Sequence, residues 1–287
     1  MKVLVVGSNG MLGHDLLLGY ECTPHKVIGF GRCDLDIRNS SATYDRILEE
    51  KPDWVILTAA YTKVDDCESE RELAWAINVE GTLNVARACL SASSGLCYIS
   101  TDYIFNGESE KPYSEEDSPD PLNYYAKTKL AGENLIRETL SDYLIIRTSW
   151  LFGTRGRNFV STILKKARSE NILNIVKDQT GAPTYTGDLV DVVICLIDKN
   201  VRGIINVTNK GFCSWFDFAK EILLIAGVSG IKVNPISSNS LGLPAKRPAN
   251  SRLALDKLQK TTKSSMRTWQ EALEVCIREG FQIKGFD

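Results

Sequence analysis

Met1-Lys-Val-Leu-Val-Val-Gly-Ser-Asn-Gly-Met-Leu-Gly13 opens the chain. Val3 to Val6 is an unbroken, mostly β-branched apolar run, the pattern of a strand buried on both faces. Gly7, Gly10 and Gly13 follow in a G-x-x-G-x-x-G spacing, and the apolar Leu16-Leu17-Leu18 stretch beyond them reads as a helix. A strand, a tight turn and a helix N-terminus are the parts of a phosphate cradle. Gly7 lets the chain turn, Gly10 leaves room for a pyrophosphate to approach backbone N–H groups, and Gly13 lets the helix pack close to the strand. The loop is one residue longer than the commoner G-x-G-x-x-G. A glycine-rich turn in some other α/β protein is the competing reading.

Strand-like and helix-like stretches then alternate. Lys26–Phe30, Trp54–Leu57, Cys97–Ser100 and Tyr143–Arg147 read as strands, and 43–50, 70–90 and 123–139 as helices. Alternation without hairpins predicts an α/β fold: a Rossmann-type, doubly wound parallel sheet. Beyond Trp150 the pattern changes, with helices expected at 158–168 and 215–226 among short strands and loops. This divides the chain into an NAD(P)-binding unit, 1–150, and a smaller substrate-binding lobe, 151–287. Segments such as Ile204–Val207 are expected to return to the sheet.

The 287 residues carry 34 Lys and Arg against 36 Asp and Glu, for a net charge of -2. Scattered, balanced charge gives no reason to expect a nucleic-acid or membrane partner. No apolar run approaches the length of a membrane span. The 8 cysteines form no metal-binding pattern, and Cys89, Cys97 and Cys195 sit in apolar runs. With no secretory segment recognised, reduced thiols in a cytoplasm are expected.

At the end of the second strand, NAD enzymes of this architecture place a carboxylate for the ribose 2′-hydroxyl. Here Gly31-Arg32 stands instead. Arg32 is either a partner for a 2′-phosphate, favouring NADPH over NADH, or a solvated loop charge. Asp36 and Ile37 are candidates to border the adenine. Thr58-Ala-Ala-Tyr-Thr62 supplies small residues against which a flat cofactor can lie.

Tyr125-Ala-Lys-Thr-Lys129 is Y-x-x-x-K, and residues four apart share a helix face. A nearby ammonium favours the phenolate and is expected to lower the Tyr125 pKa. Such a tyrosine can protonate a ketone oxygen as hydride reaches carbon. In isolation the pattern carries little. Thr101, at the end of a predicted strand just before the tyrosine helix, adds a hydroxyl placed to meet the same carbonyl oxygen.

The glycine loop, Thr101, Tyr125 and Lys129 together resemble the extended short-chain dehydrogenase/reductase superfamily across essentially the whole chain. Ala60-Tyr-Thr-Lys-Val-Asp-Asp-Cys-Glu68, Ser100-Thr-Asp-Tyr-Ile-Phe105, Arg147-Thr-Ser-Trp-Leu-Phe-Gly153, Asp178-Gln-Thr-Gly-Ala-Pro-Thr184 and Lys246-Arg-Pro-Ala-Asn-Ser251 narrow the resemblance to the dTDP-4-dehydrorhamnose reductase family. That resemblance implies reduction of the 4-keto group of a dTDP-linked 6-deoxyhexose by NADPH or NADH. It implies Tyr125 as proton donor, Lys129 as its partner and a cofactor ligand, and Thr101 as a tuning hydroxyl. Thr101 and Asp102 would touch the sugar, Trp150 would wall it, and Arg247 would reach the nucleotide phosphates. Gly10, Met11 and Leu12 would give backbone contacts to the pyrophosphate, with Asp36, Ile37, Ala60, Tyr61 and Thr62 lining the cofactor beside the candidates Gly7, Gly13 and Arg32 read from the residues themselves.

Nucleotide-sugar dehydratases of similar fold carry Asp-Glu after the catalytic Thr; here the pair is Asp102-Tyr103, which favours simple reduction. Some members bridge a homodimer through a carboxylate-held metal. Asp15 matches one such position, but Gly187 stands at another, so no metal is assigned and a homodimer stays open. The alternatives are a reductase or epimerase of another nucleotide 4-ketosugar, and a non-catalytic NADP-binding subunit resembling the methionine adenosyltransferase β subunit.

Overall fold

Val3, Leu4, Val5 and Val6 are each no more than 1% exposed, in strand β1 (Lys2–Val6). Successive side chains of a strand face opposite ways. Val3 and Val5 therefore enter a core with Leu12, Leu16 and Leu189, while Leu4 and Val6 enter another with Ile47, Val85 and Ile136. Helices cover both faces, as a doubly wound sheet requires. The computed structural model describes residues 1–280; residues 281–287 of the expected second lobe lie outside them.

β1 pairs in parallel with β2 (Lys26–Phe30) on one side and β3 (Trp54–Leu57) on the other. β4 (Gly95–Thr101) and β5 (Tyr143–Thr148) extend the β3 side. The Gly203–Asn206 strand completes a six-stranded sheet beyond β5. The order runs outward in both directions from β1, so a crevice opens at the carboxyl ends of β1 and β3. Helix α1 (Met11–Glu21) starts at that crevice. Gly7 has φ +97°, and a Cβ on Gly13 would stand 2.2 Å from the Gly7 carbonyl oxygen. A side chain at Gly13 would push α1 off the end of β1, and one at Gly7 would collide with Thr58 and Ala59 beyond β3.

The expected helix over 70–90 is interrupted. Helix α2 (Ser40–Glu50) is followed by short helices at Asp66–Ser69 and Arg71–Trp75, a widened π turn at Ala76–Gly81, and a helix at Thr82–Ala92. The cause is Asn78, 1% exposed inside the π turn. Its Nδ2 donates to the Tyr61 carbonyl at 3.1 Å and to Thr128 Oγ1 at 2.9 Å, and its Oδ1 accepts from the Tyr61 N–H at 2.7 Å. Regular α geometry gives way where one buried amide bonds three partners outside its own helix.

Residues after Trp150 contribute in two places. The Thr186–Asp198 helix packs Leu189, Val190 and Val193 onto the α1 face of the sheet. Phe152, Val160, Ile163, Phe218, Ile222, Trp269 and Leu273 build a separate core. A parallel ribbon of Ile172–Val176 with Lys232–Ile236 flanks it.

An ion pair lies under the tyrosine helix (Tyr124–Thr139). Arg147 of β5 and Glu133 are 3% and 1% exposed, with NH2 2.8 Å from Oε2. Ser100 Oγ of β4 donates to Glu133 Oε1 at 2.5 Å. Removing one partner leaves the other charged and dry. Arg147→Ala should therefore lower unfolding stability by about 3–5 kcal/mol, read from urea denaturation midpoints; a loss under about 1 kcal/mol would show that water reaches Glu133.

Candidate active site

A cavity of about 640 Å³ occupies the crevice. The loop before α1 supplies one wall, through Asn9, Gly10, Met11, Leu12 and Gly13. No side chain caps α1, so its first-turn N–H groups and the positive end of its dipole face the cavity. A Cβ on Gly10 would meet only the Gly7 carbonyl oxygen, at 3.3 Å, and would otherwise fill the cradle. These are the features that receive the pyrophosphate of a dinucleotide, so the residues present fit NADP(H). Ala60 and Thr62, beyond β3, line the same cavity.

Thr101 and Asp102 enter from the end of β4, and Tyr125 and Lys129 from one face of the tyrosine helix. Asn123 caps that helix, its Oδ1 accepting from the Ala126 N–H at 2.9 Å, which places Tyr125 in the first turn. Lys129 is 2% exposed, and its Nζ lies 3.8 Å from the centroid of the Tyr98 ring. Burial lowers the Lys129 pKa to about 7, with the Glu133 carboxylate opposing. Burial raises the Tyr125 pKa and the Asp102 carboxylate adds to the rise, while the Thr101 hydroxyl pulls it down. The expected depression of Tyr125 by the Lys129 ammonium is therefore not found: burial dominates at both groups and moves each toward its neutral form.

Asp102 is 2% exposed, and its Oδ2 has no hydrogen-bond partner. Thr101 Oγ1 donates to its Oδ1 at 3.1 Å. Burial pushes its pKa up to about 7 against the pull of the nearby Ser251 and Thr101 hydroxyls.

Trp150 stands at φ +46°, a left-handed backbone rare for a bulky side chain. Its ring stacks on Trp215 with centroids 3.5 Å apart and planes 8° apart, and Gly181 leaves room for the ring edge. Both tryptophans line the cavity. Trp215 and Tyr103 also line a second cavity of about 760 Å³, with Lys166, Gln179, Lys246 and Arg247. Arg247 is engaged there: NH2 lies 2.6 Å from Asp65 Oδ2 and NH1 3.0 Å from Oδ1.

The remaining expected cofactor residues lie outside the first cavity's lining. Ile37 is 3% exposed in the core, with its side chain against Gly81. Tyr61 directs its hydroxyl to Glu70, at 3.2 Å. Arg32 is exposed, at the end of β2. Asp36 pairs with Arg38, and that hydrogen bonding holds its carboxyl down at about 2. Asp15 lies 4.0 Å from the His14 ring, and among the described residues no group of three His, Cys, Asp or Glu is placed to hold a metal.

Three residues escaped the sequence reading. Trp215 gave no signal, because its stacking partner is 65 positions away in the chain. Asn78 was visible as a polar residue within an apolar helical stretch. Glu133 is four residues beyond Lys129, on the same helix face.

Comparison with known proteins bears on the same arrangement. The family model described as RmlD substrate binding domain matches residues 1–281. A dTDP-4-dehydrorhamnose reductase from Aggregatibacter actinomycetemcomitans is 36% identical, over 95% of this chain and 97% of its own. The chain belongs to the dTDP-4-dehydrorhamnose reductase family. A crystal structure of a family member from Clostridium acetobutylicum superposes with a TM-score of 0.94 at 40% identity, covering 97% of this chain and 99% of that one. The Bacillus anthracis member, solved in complex with NADP, gives 0.94 at 39% identity with the same coverage. The spore coat polysaccharide biosynthesis protein SpsK of Bacillus subtilis is 38% identical, over 97% of each chain.

The buried carboxyl makes a testable link between pH and stability. A folded pKa of about 7 lies above the ordinary aspartate value of 3.8, so the folded state binds the extra proton between those values and stability falls as pH rises through them. Relative to wild type, Asp102→Asn should remove this decline in urea midpoints measured from pH 4 to 7. Parallel curves for the two proteins would mean that Asp102 is ionised in the folded state throughout.

Proposed function

We propose that the chain catalyses reduction of the 4-keto group of dTDP-4-dehydro-6-deoxy-L-mannose by NADPH, giving dTDP-L-rhamnose. The observation that carries this reading is the meeting of Tyr125, Thr101 and Lys129 with the uncapped start of α1 around one cavity. The names of the relatives and the NADP complex of the B. anthracis member support it. In this reading residues 1–150 supply most of the cofactor site, and the residues after 150 build the substrate lobe apart from the Thr186–Asp198 helix and the Gly203–Asn206 strand, which belong to the sheet.

When bound, the dihydronicotinamide supplies the hydride to C4. The chain's own residues do the rest. Thr101 and Tyr125 hold the carbonyl oxygen, and the Tyr125 hydroxyl gives it a proton as the alkoxide forms. A phenol kept neutral by burial retains its proton until that moment, and the developing charge draws it off. Lys129 hydrogen-bonds the nicotinamide ribose and steadies the phenolate left behind. Asp102 orients the sugar, and the Trp150–Trp215 stack walls it from water. The second cavity, contiguous through Tyr103 and Trp215, takes the nucleotide, with Lys166, Lys246 and Arg247 as its cations. Arg32, Asp36, Ala60, Tyr61 and Thr62 would flank the cofactor beyond its pyrophosphate; Arg32, exposed and in no hydrogen bond or ion pair among the described residues, favours the 2′-phosphate of NADPH.

A second reading, reduction of a different dTDP-linked 4-ketosugar, is favoured by a relative from Streptomyces antibioticus. That protein, named probable dTDP-4,6-dihydroxy-2-methyloxan-3-one 4-ketoreductase, is 34% identical over 98% of this chain. No helix among the described residues is long and apolar enough to cross a membrane, consistent with a cytoplasmic enzyme.

Tyr125→Phe should cut the turnover rate about 10²–10⁴-fold while leaving the NADPH dissociation constant within about twofold, since the lost hydroxyl acts on the ketone. Turnover is read as loss of NADPH absorbance with dTDP-4-dehydrorhamnose and with other dTDP-4-ketosugars. A fully active variant would sink the role of Tyr125; inactivity on the first sugar with turnover of another would select the second reading.

A further inference from the structure

Thr154 to Arg157 connect the Leu151–Phe152 strand to the Phe159–Ala167 helix. This loop is fastened to the first turn of α1. Asn158, 9% exposed, accepts from the Ser161 N–H at 3.0 Å and donates to the Gly153 carbonyl at 2.8 Å and to Met11 Sδ at 3.6 Å. Gly153 and Gly156 both lie against Met11: a Cβ on Gly153 would sit 3.3 Å from Met11 Cγ, and one on Gly156 3.8 Å from Met11 Cβ. The loop therefore faces the same N–H groups that form the phosphate cradle.

Arg157 lines the first cavity at this end, and among the described residues it makes no hydrogen bond or ion pair. The only other cation in the lining is Lys129, which is buried against Tyr98 on the far side. A pyrophosphate carries two negative charges, and a helix N-terminus offers the equivalent of about half a positive one. The free guanidinium sits where that deficit falls, with a fork geometry suited to phosphate oxygens.

We infer that Arg157 clamps the cofactor's pyrophosphate against the start of α1, from a loop that Asn158 holds in place. The inference rests on the first cavity being the cofactor site. The other phosphates have their own cations: Arg32 stands just beyond the end of β2, and Lys166, Lys246 and Arg247 line the second cavity.

The test is equilibrium binding to wild type, Arg157→Ala and Arg157→Lys, with NADPH, NADH and dTDP titrated separately by fluorescence at low and high salt. Arg157→Ala should bind NADPH and NADH about tenfold more weakly, with a shallower salt dependence, and Arg157→Lys should recover part of the loss. The dTDP affinity should not change. Equal dinucleotide affinities in wild type and Arg157→Ala would overturn the clamp, as would a loss confined to NADPH, which places Arg157 on the 2′-phosphate, or a loss confined to dTDP. Wild type that binds neither dinucleotide would instead refute the cofactor reading beneath it. The thermal midpoint of both variants should match wild type, because Arg157 is exposed.

Discussion

The fold is built on the close approach of Gly13 to the carbonyl of Gly7. It fixes how near the start of α1 comes to the end of β1, and so where the unpaired N–H groups point. Leu12 and Leu16 can then reach Val3 and Val5, and burial of that face holds the helix down. A phosphate cradle and a hydrophobic core thus share one piece of backbone. The packing that stabilises the fold also preorganises the donors, which need no rearrangement when an anion arrives.

Buried polar bonds then set the tyrosine helix against this frame. Asn78 joins the π turn to Tyr61 beyond β3 and to Thr128 on the helix, between Tyr125 and Lys129. Glu133, one turn further on, is held by Arg147 of β5 and Ser100 of β4. Each bond costs desolvation, and each is directional, unlike the apolar contacts around it. Together they fix the rotation and height of the helix. That decides whether Tyr125 and Lys129 face Thr101 or the neighbouring helix.

The sheet and its winding were legible because strand burial and helix periodicity are local properties. β1, β2 and β3 lie where their apolar runs lie. Y-x-x-x-K was equally local, since four residues make one turn. What stayed hidden depends on contacts distant in sequence or on solvent exclusion. The Trp150–Trp215 stack joins two segments that share no pattern. The π turn arises from partners of Asn78 that the helix itself does not contain. The opposed shifts of Tyr125 and Lys129 follow from how dry the site is, which no spacing encodes. The ionic engagement of Arg247 with Asp65 is of the same kind: both residues could be read, their pairing could not.

The Gly203–Asn206 strand comes from late in the chain yet hydrogen-bonds along β5. Cleavage near Trp150 would strip β5 of that neighbour and bare a row of unpaired amides flanked by Leu144 and Ile146. Such an edge recruits strands from other molecules. The front half of this polypeptide is consequently a poor candidate for expression by itself: its open margin would invite self-association, and the cradle it carries would be lost to aggregate before any nucleotide could be offered to it.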